Sequence, residues 1–535
     1  MTPRRDGRPR GRRAPLLLAA PAVLTAGAVL LPLAYLAVRS VTGGRDAWAI
    51  LDARTARLVL DTGVLVAAVV LAALLVGVPL AWLVTRTDLP GRVGWAVAAA
   101  LPLVIPSYVA ALALLGALGP RGLLQGLLEG PFGVERLPEI YGLPGAVLAL
   151  TLSTYPYVYL LAAAALRELD PALEEAARGL GRGPWAVFGR VTLPALRPSI
   201  AAGSLLVALY VLSDFGAVSL MQYPALTRAI YLQYEALFDR DPAVVLALVL
   251  VALTALVLAA ESRFRRRARY HRSTATAARR SRVVELGRWR WPAVAFCGAV
   301  VGAFLVLPLA VLAYWTWEAI PLGRPVDLAW RAAANSALAS AAAAAVAVAA
   351  ALPVVFLSAR HPASWTRLLE RASFTANALP GIVVALSLVF FGARYAGVLY
   401  QTLALLVFAY VVRFLPQALA ASGSALRTVN PRFEEAARGL GRGPLASMWL
   451  VTAPLVRPGL LAGAALVFLS AMKELPATLL LRPIGFDTLA TEIWTATSIA
   501  AYSEAAPSAF LLIAISAPFV YLLVGRRGAE LASPG

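Results

Sequence analysis

Glu174-Glu175-Ala176-Ala177-Arg178-Gly179-Leu180-Gly181-Arg182-Gly183-Pro184 returns unchanged as Glu434-Glu435-Ala436-Ala437-Arg438-Gly439-Leu440-Gly441-Arg442-Gly443-Pro444, a spacing of 260 residues. The same punctuation follows each copy: Pro194 and Arg197-Pro198 after the first, Pro454 and Arg457-Pro458 after the second. Identity at a fixed spacing marks an internal duplication. Pro171 opens the first copy, Glu174 and Glu175 put negative charge into the first turn, and Ala176-Ala177 favour helix. Gly179, Gly181 and Gly183 break the helix, and Pro184 opens another. A short helix, a glycine turn and a second helix are expected, and Pro431 to Val451 repeats the plan.

Both copies lie between long apolar runs. The chain of 535 residues is 60% hydrophobic and 14% charged, with mean hydropathy +0.76, which excludes an average soluble protein. A bilayer core about 30 Å thick takes roughly 20 apolar residues per helix. Twelve such runs are expected, near 15–38, 58–84, 95–118, 143–166, 199–222, 242–260, 292–315, 333–357, 374–394, 398–422, 458–481 and 506–525. The expectation is an all-α polytopic membrane protein built as two homologous six-helix repeats, 14–262 and 291–527. A basic tail (1–13), a basic linker (263–290) and a C-terminal tail (528–535) complete the chain. Repeats of six spans are parallel, related by an axis along the membrane normal. Pro102 matches Pro380 at a spacing of 278 while the motif repeats at 260, a difference of 18 residues that puts an insertion in the outer face of the first half.

The net charge of +20 is carried by arginines concentrated at the two termini, in the linker and around the duplicated segment. They flank spans and lack interleaved aromatics, which argues against nucleic acid. By the positive-inside rule both termini and both copies of the motif face the cytoplasm. Six arginines ahead of an apolar run resemble a secretory signal, but the run is too long for a signal core and is read as an uncleaved first helix. The tail lies against membrane lipid headgroups in this reading. Cys297 is the single cysteine, which excludes disulfides and cysteine metal sites. Neither His271 nor His361 falls into a metal-ligand cluster.

Charges inside spans are costly and therefore informative. Asp214 in the fifth span and Lys473-Glu474 in the eleventh stand at matching positions, and Arg413 in the tenth stands where the fourth has Ser153. These four are candidates for a translocation pathway or gate. A structural role, with Lys473 pairing Asp214 or Glu474, accounts for them equally well.

Glu-Ala-Ala, three residues, Gly, nine residues, then an aliphatic, any residue, Leu and Pro is the pattern of the EAA loop of ATP-binding-cassette importer permeases. Glu175-Ala176-Ala177, Gly181 and Val191-Thr192-Leu193-Pro194 match it throughout; Glu435-Ala436-Ala437, Gly441 and Val451-Thr452-Ala453-Pro454 depart only at Ala453. The resemblance implies a type I importer permease fold. Loops 171–198 and 431–458 would then couple to two copies of a separate ATPase subunit through Glu174, Glu175, Ala176, Ala177, Gly181 and Pro194, and Glu434, Glu435, Ala436, Ala437, Gly441 and Pro454. ATP and magnesium would reside on those subunits, with no cofactor, metal or catalytic residue on this chain. A nucleotide-binding P-loop needs lysine after a glycine-rich turn. The only lysine here, Lys473, follows Leu469-Ser470-Ala471-Met472.

Ser213-Asp214-Phe215-Gly216-Ala217-Val218-Ser219, the run Met472 to Pro483 and Phe486 to Thr491 are similar to the fused ferric-iron permeases of this superfamily. That resemblance implies ferric iron delivered by an extracytoplasmic binding protein across a bacterial plasma membrane. Fused thiamine permeases share the length and plan and are the alternative. A secondary transporter also uses repeats, but it leaves the paired cytoplasmic motifs without a role.

Overall fold

The computed structural model describes residues 16–42, 46–120, 122–133, 137–236, 240–267, 283–320, 328–375 and 379–521. The tails 1–13 and 528–535 and linker residues 268–282 lie outside the described residues. The first repeat runs through α1 (Leu16–Thr42), α2 (Ala53–Arg86), α3 (Arg92–Ala98), α4 (Ser107–Leu118), α5 (Leu123–Phe132), α6 (Leu143–Glu168), α7 (Pro171–Gly179), α8 (Pro184–Val187), α9 (Leu193–Ser213), α10 (Gly216–Leu220), α11 (Leu226–Ala236) and α12 (Asp241–Arg267). The second runs through α13 (Arg290–Val301), α14 (Leu307–Ala319), α15 (Leu328–Arg360), α16 (Ser364–Phe374), α17 (Gly381–Tyr395), α18 (Leu403–Thr428), α19 (Arg432–Gly439), α20 (Pro444–Ser447), α21 (Ala453–Met472), α22 (Pro476–Leu481), α23 (Leu489–Ser498) and α24 (Tyr502–Val520). Apart from one isolated bridge, Thr87 to Val284, the regular structure of the described residues is helical.

Ten helices among the described residues are long and apolar enough to cross a membrane. The ninth expected run is the shorter apolar helix α17, and the twelfth is occupied by α24. Three expected runs are interrupted. Pro102 and Pro106 divide 95–118 into α3, a 3₁₀ turn and α4; the run 199–222 stops at Ser213 and 458–481 at Met472, in both cases against a carboxylate. Proline removes a backbone donor and clashes with the preceding turn, and an acidic side chain near a helix start competes for its amides. Apolar composition alone carries no sign of either event. Leu71, Leu75 and Leu256 stay exposed on their spans, as lipid-facing side chains do.

The chain forms two compact units whose membership crosses the repeat boundary. One contains residues up to Val38 with Ser336–Gly485; the other contains Arg39–Asn335 with Phe486–Gly535. In the first unit, α1 joins second-repeat helices: Ser387 donates to the Pro32 carbonyl at 2.8 Å, and Tyr35 meets Phe391 edge-on at 5.6 Å. In the second, α2 and α9 pack on α6, and α14 packs on α4 and α24. Gly203 lets α9 approach α6 closely, because a Cβ there would lie 3.0 Å from the Val158 Cα; small residues at such crossings let helix backbones meet in lipid. Gly463 does the same for α21 against Ala418 of α18. Tyr155, Tyr159, Leu150, Leu212 and Phe215 fill the interior of that second unit.

Candidate functional site

Each copy of the duplicated segment folds as a short helix and a glycine turn. Asp170 caps α7 by accepting from the Ala172 N–H at 3.0 Å, and Asn430 accepts from the Arg432 N–H at 3.0 Å ahead of α19. Both helices end on glycines with left-handed backbone, Gly181 at φ +76° and Gly441 at φ +80°, a conformation costly for any residue with a Cβ. The second helical segment does not stand apart, as the sequence suggests. It continues through one π turn, Phe188–Thr192 or Met448–Thr452, straight into α9 or α21.

The two glutamates of each motif have opposite fates. Glu174 and Glu434 are buried, whereas Glu175 and Glu435 are exposed, as are Ala176 and Ala436. Glu434 accepts from Arg360 Nε at 3.0 Å and from Thr452 Oγ1 at 3.1 Å, with Arg438 at 3.7 Å. Glu174 accepts from Thr192 Oγ1 at 2.8 Å, with Arg178 at 3.8 Å and Arg86 at 3.9 Å. Arg86 also donates to the Leu166 and Leu169 carbonyls at 2.5 and 3.4 Å, and Arg360 to the Val429 carbonyl at 3.2 Å. Leu169 and Val429 are the C-caps of α6 and α18, where a cation meets the negative end of the helix dipole. One buried carboxylate in each copy therefore ties the short helix to the ends of three spans.

Neither arginine nor threonine of this joint was singled out by sequence reasoning. A signal existed: Pro79 and Pro353 each precede the arginine by seven residues, near the ends of α2 and α15, the second long span of each repeat. Outside the joint, α7 exposes Leu173, and Leu180 follows it in the turn; α19 and its turn expose Phe433 and Leu440. Pro194 and Pro454 follow directly on the π turns, as the second residues of α9 and α21.

The span charges occupy the two helix breaks. In the first repeat the Asp214 carboxylate accepts from the Ala217 N–H at 3.0 Å, capping α10, and from the Ser107 hydroxyl at the start of α4. Thr227 donates to the Asp214 carbonyl at 2.6 Å. In the second, Glu474 accepts from the Ala477 N–H at 3.3 Å, capping α22, and forms a 2.6 Å ion pair with Arg413 of α18. Thr478 donates to the Glu474 carbonyl and meets the Tyr410 hydroxyl, both at 2.6 Å. Arg413 and Glu474, singled out separately from the sequence, are thus brought together, while Lys473 is the half-exposed C-cap of α21. Gly381 is the residue sequence reasoning missed here. A Cβ on it would fall 1.4 Å from Arg413 Nη1 and 2.7 Å from Glu474 Oε1, so the ion pair exists because this position has no side chain. No group of three or more His, Cys, Asp or Glu among the described residues could hold a metal ion.

Residues 73–270 and 351–527 each match the family described as binding-protein-dependent transport system inner membrane component. The Fe(3+)-transport system permease protein FbpB 2 of Haemophilus influenzae is 32% identical over 517 residues, covering 96% of this chain and 98% of that protein. The ferric transport system permease protein FbpB of Actinobacillus pleuropneumoniae is 23% identical over 406 residues, 71% of this chain and 58% of that one. The molybdenum transport system permease protein ModB of Escherichia coli is 38% identical over 117 residues, 22% of this chain and 50% of that one. Two matches to one family, each containing one copy of the duplicated motif and one helix break, place the chain among the binding-protein-dependent transport system inner membrane components.

Proposed function

We propose that this chain is the membrane permease of an ATP-driven importer that moves ferric iron into the cytoplasm. The observation that carries the reading is the likeness along nearly the full length of both chains to an Fe(3+)-transport permease. Thiamine, the substrate of similarly fused permeases, is the comparison the test must include. In this reading an extracytoplasmic binding protein delivers iron, and two copies of an ATPase subunit dock from the cytoplasm. Both chain termini lie on that cytoplasmic side of a bacterial plasma membrane.

The exposed surfaces of α7 and α19, with Glu175, Ala176, Leu180 and their counterparts Glu435, Ala436 and Leu440, are the docking surfaces. Closure of the ATPase pair on ATP and magnesium moves these helices. The buried Glu174 and Glu434 carry the motion, because each holds its coupling helix to an arginine at the end of one span and a threonine at the start of another. Such a joint favours displacement as a unit over local bending, which is what alternating access requires. Asp214 and the Arg413–Glu474 pair stand at the helix breaks, where the pathway opens and closes; broken helices in membranes are tolerated where they are buried in protein or line a cavity.

The test is uptake into proteoliposomes containing this chain, its ATPase subunit and its binding protein, with labelled ferric iron or labelled thiamine outside and ATP inside. ATP-dependent accumulation of iron and not thiamine is expected. Thiamine accumulation without iron overturns the substrate, and uptake indifferent to ATP overturns the mechanism.

A further inference from the structure

Beside the first-repeat break lies a cluster that the transport reading leaves unused. Tyr157 of α6 and Tyr210 of α9 pack with ring centroids 6.2 Å apart. The Tyr210 phenol is hydrogen-bonded to Ser107 and lies within electrostatic reach of Asp214, and Ser107 in turn donates to the Asp214 carboxylate. The Tyr210 phenol, a hydroxyl and a carboxylate are therefore joined within one unit, with the Tyr157 ring packed beside them. Both tyrosines are half-buried.

The second repeat supplies an internal control. At the spacing of 260 residues, Tyr157 corresponds to Gln417, Tyr210 to Ser470, Ser153 to Arg413 and Asp214 to Glu474. The contact itself persists, since Ser470 donates to Gln417 Oε1 at 3.0 Å, and these two side chains are also half-buried. Polar groups turned toward hydrocarbon in the middle of a span are costly. In each unit, a pair of them at corresponding positions fits a surface bathed by water. At these positions the second repeat has an amide, a hydroxyl and a guanidinium paired with its carboxylate. The first has two phenols beside its carboxylate, and Ser153, at the position of Arg413, spends its hydroxyl on the Ala149 carbonyl of its own helix.

We propose that Tyr157, Tyr210 and Asp214 form a transient binding site for ferric iron in the first repeat, with Ser107 orienting the Tyr210 and Asp214 oxygens. The inference rests on the ferric-iron reading above. A small trivalent cation prefers hard, anionic oxygen ligands over amide or guanidinium groups. On binding, two oxygen ligands of the arriving ferric ion leave and are replaced by the phenolates of Tyr157 and Tyr210, whose protons pass to water, beside the carboxylate; the iron stays ferric. Release toward the cytoplasm returns the protons to the phenols. The second repeat has no phenols at the matching positions, and its carboxylate, Glu474, is already paired with Arg413.

The assembled permease and ATPase complex in lipid nanodiscs, titrated with ferric citrate, tests this directly. Iron–phenolate bonds give a visible ligand-to-metal charge-transfer band that carboxylate or water ligation does not produce. Wild type is expected to show the band, Y157F and Y210F to weaken it, and Y157F/Y210F to abolish it while the complex stays folded and monodisperse. Iron affinity in the double variant should fall at least by the roughly tenfold loss that removing even an outer partner of a metal ligand costs. A wild type without the band, or a double variant that keeps it, overturns the site. Iron uptake by a wild type that shows no band removes this site and leaves the permease reading intact. A band without any ATP-dependent iron uptake in proteoliposomes removes the permease reading and leaves a metal site.

Discussion

The two repeats agree at their duplicated motif and differ at their helix breaks. At the joint of the motif the same residue types recur: an arginine ending a span, a buried glutamate, a threonine entering the next span and a C-cap carbonyl. At the breaks the homologous carboxylates both cap a short helix, yet one is satisfied by the Ser107 hydroxyl and the other by the Arg413 guanidinium. In the proposed importer, two copies of one ATPase subunit would favour alike docking surfaces, while a single substrate would ask for no symmetry at the breaks.

The contrast at the breaks is the easiest to overturn. Arg413→Ala strands a buried Glu474, a loss of about 3–5 kcal/mol for a broken buried pair. Ser107→Ala removes a neutral donor from Asp214 and should cost about 1–3 kcal/mol. Thermal unfolding of the two variants in nanodiscs measures the difference, and equal losses would mean that the breaks are energetically alike. Gly381→Ala comes next. Its new Cβ must push the Arg413 guanidinium aside, an overpacking cost of about 1–3 kcal/mol, and Arg413→Ala in the same chain should relieve the clash.

A finer distinction separates the two joints. Arg360 reaches Glu434 at 2.9 Å, while Arg86 stays 3.9 Å from Glu174. Double-mutant cycles should give Arg360 and Glu434 an interaction toward the upper part of the 0.5–3 kcal/mol range for residues in contact, and Arg86 and Glu174 one near its lower end, by this roughly scaled argument. A larger interaction in the first copy contradicts the geometry. The smallest structural effect belongs to Glu175→Lys with Glu435→Lys. Both side chains are exposed, so stability should change by no more than about 0.5 kcal/mol, while iron uptake is lost and ATP hydrolysis is no longer stimulated by the loaded binding protein. Unimpaired uptake in this double variant removes the docking role.

Much of this was legible in the sequence because duplication is visible without structure. The helix, glycine turn and helix of the motif follow from proline, glycine and alanine propensities, and the span charges stand out against apolar surroundings. The division of labour within Glu174-Glu175 was not legible, since adjacent residues on a helix differ by about 100° in direction and only packing decides which is buried. Arg86 and Arg360 end their spans like many basic residues at a membrane interface, so nothing local separated them from solvated charge. The Arg413–Glu474 pair and its dependence on Gly381 join three positions far apart in the chain, a relation that neither hydropathy nor motif spacing encodes.

The exchange of α1 into the unit built from second-repeat helices has a consequence for how the chain is made. Pro32 emerges early, but its partner Ser387 lies 355 residues later. At roughly 5–20 residues per second of synthesis, the first helix waits on the order of 20–70 s in the membrane before it can dock. During that interval its apolar flank must be held by lipid or by the insertion machinery. A ribosome that stalls before Ser387 leaves a nascent first repeat without a native place for its leading helix.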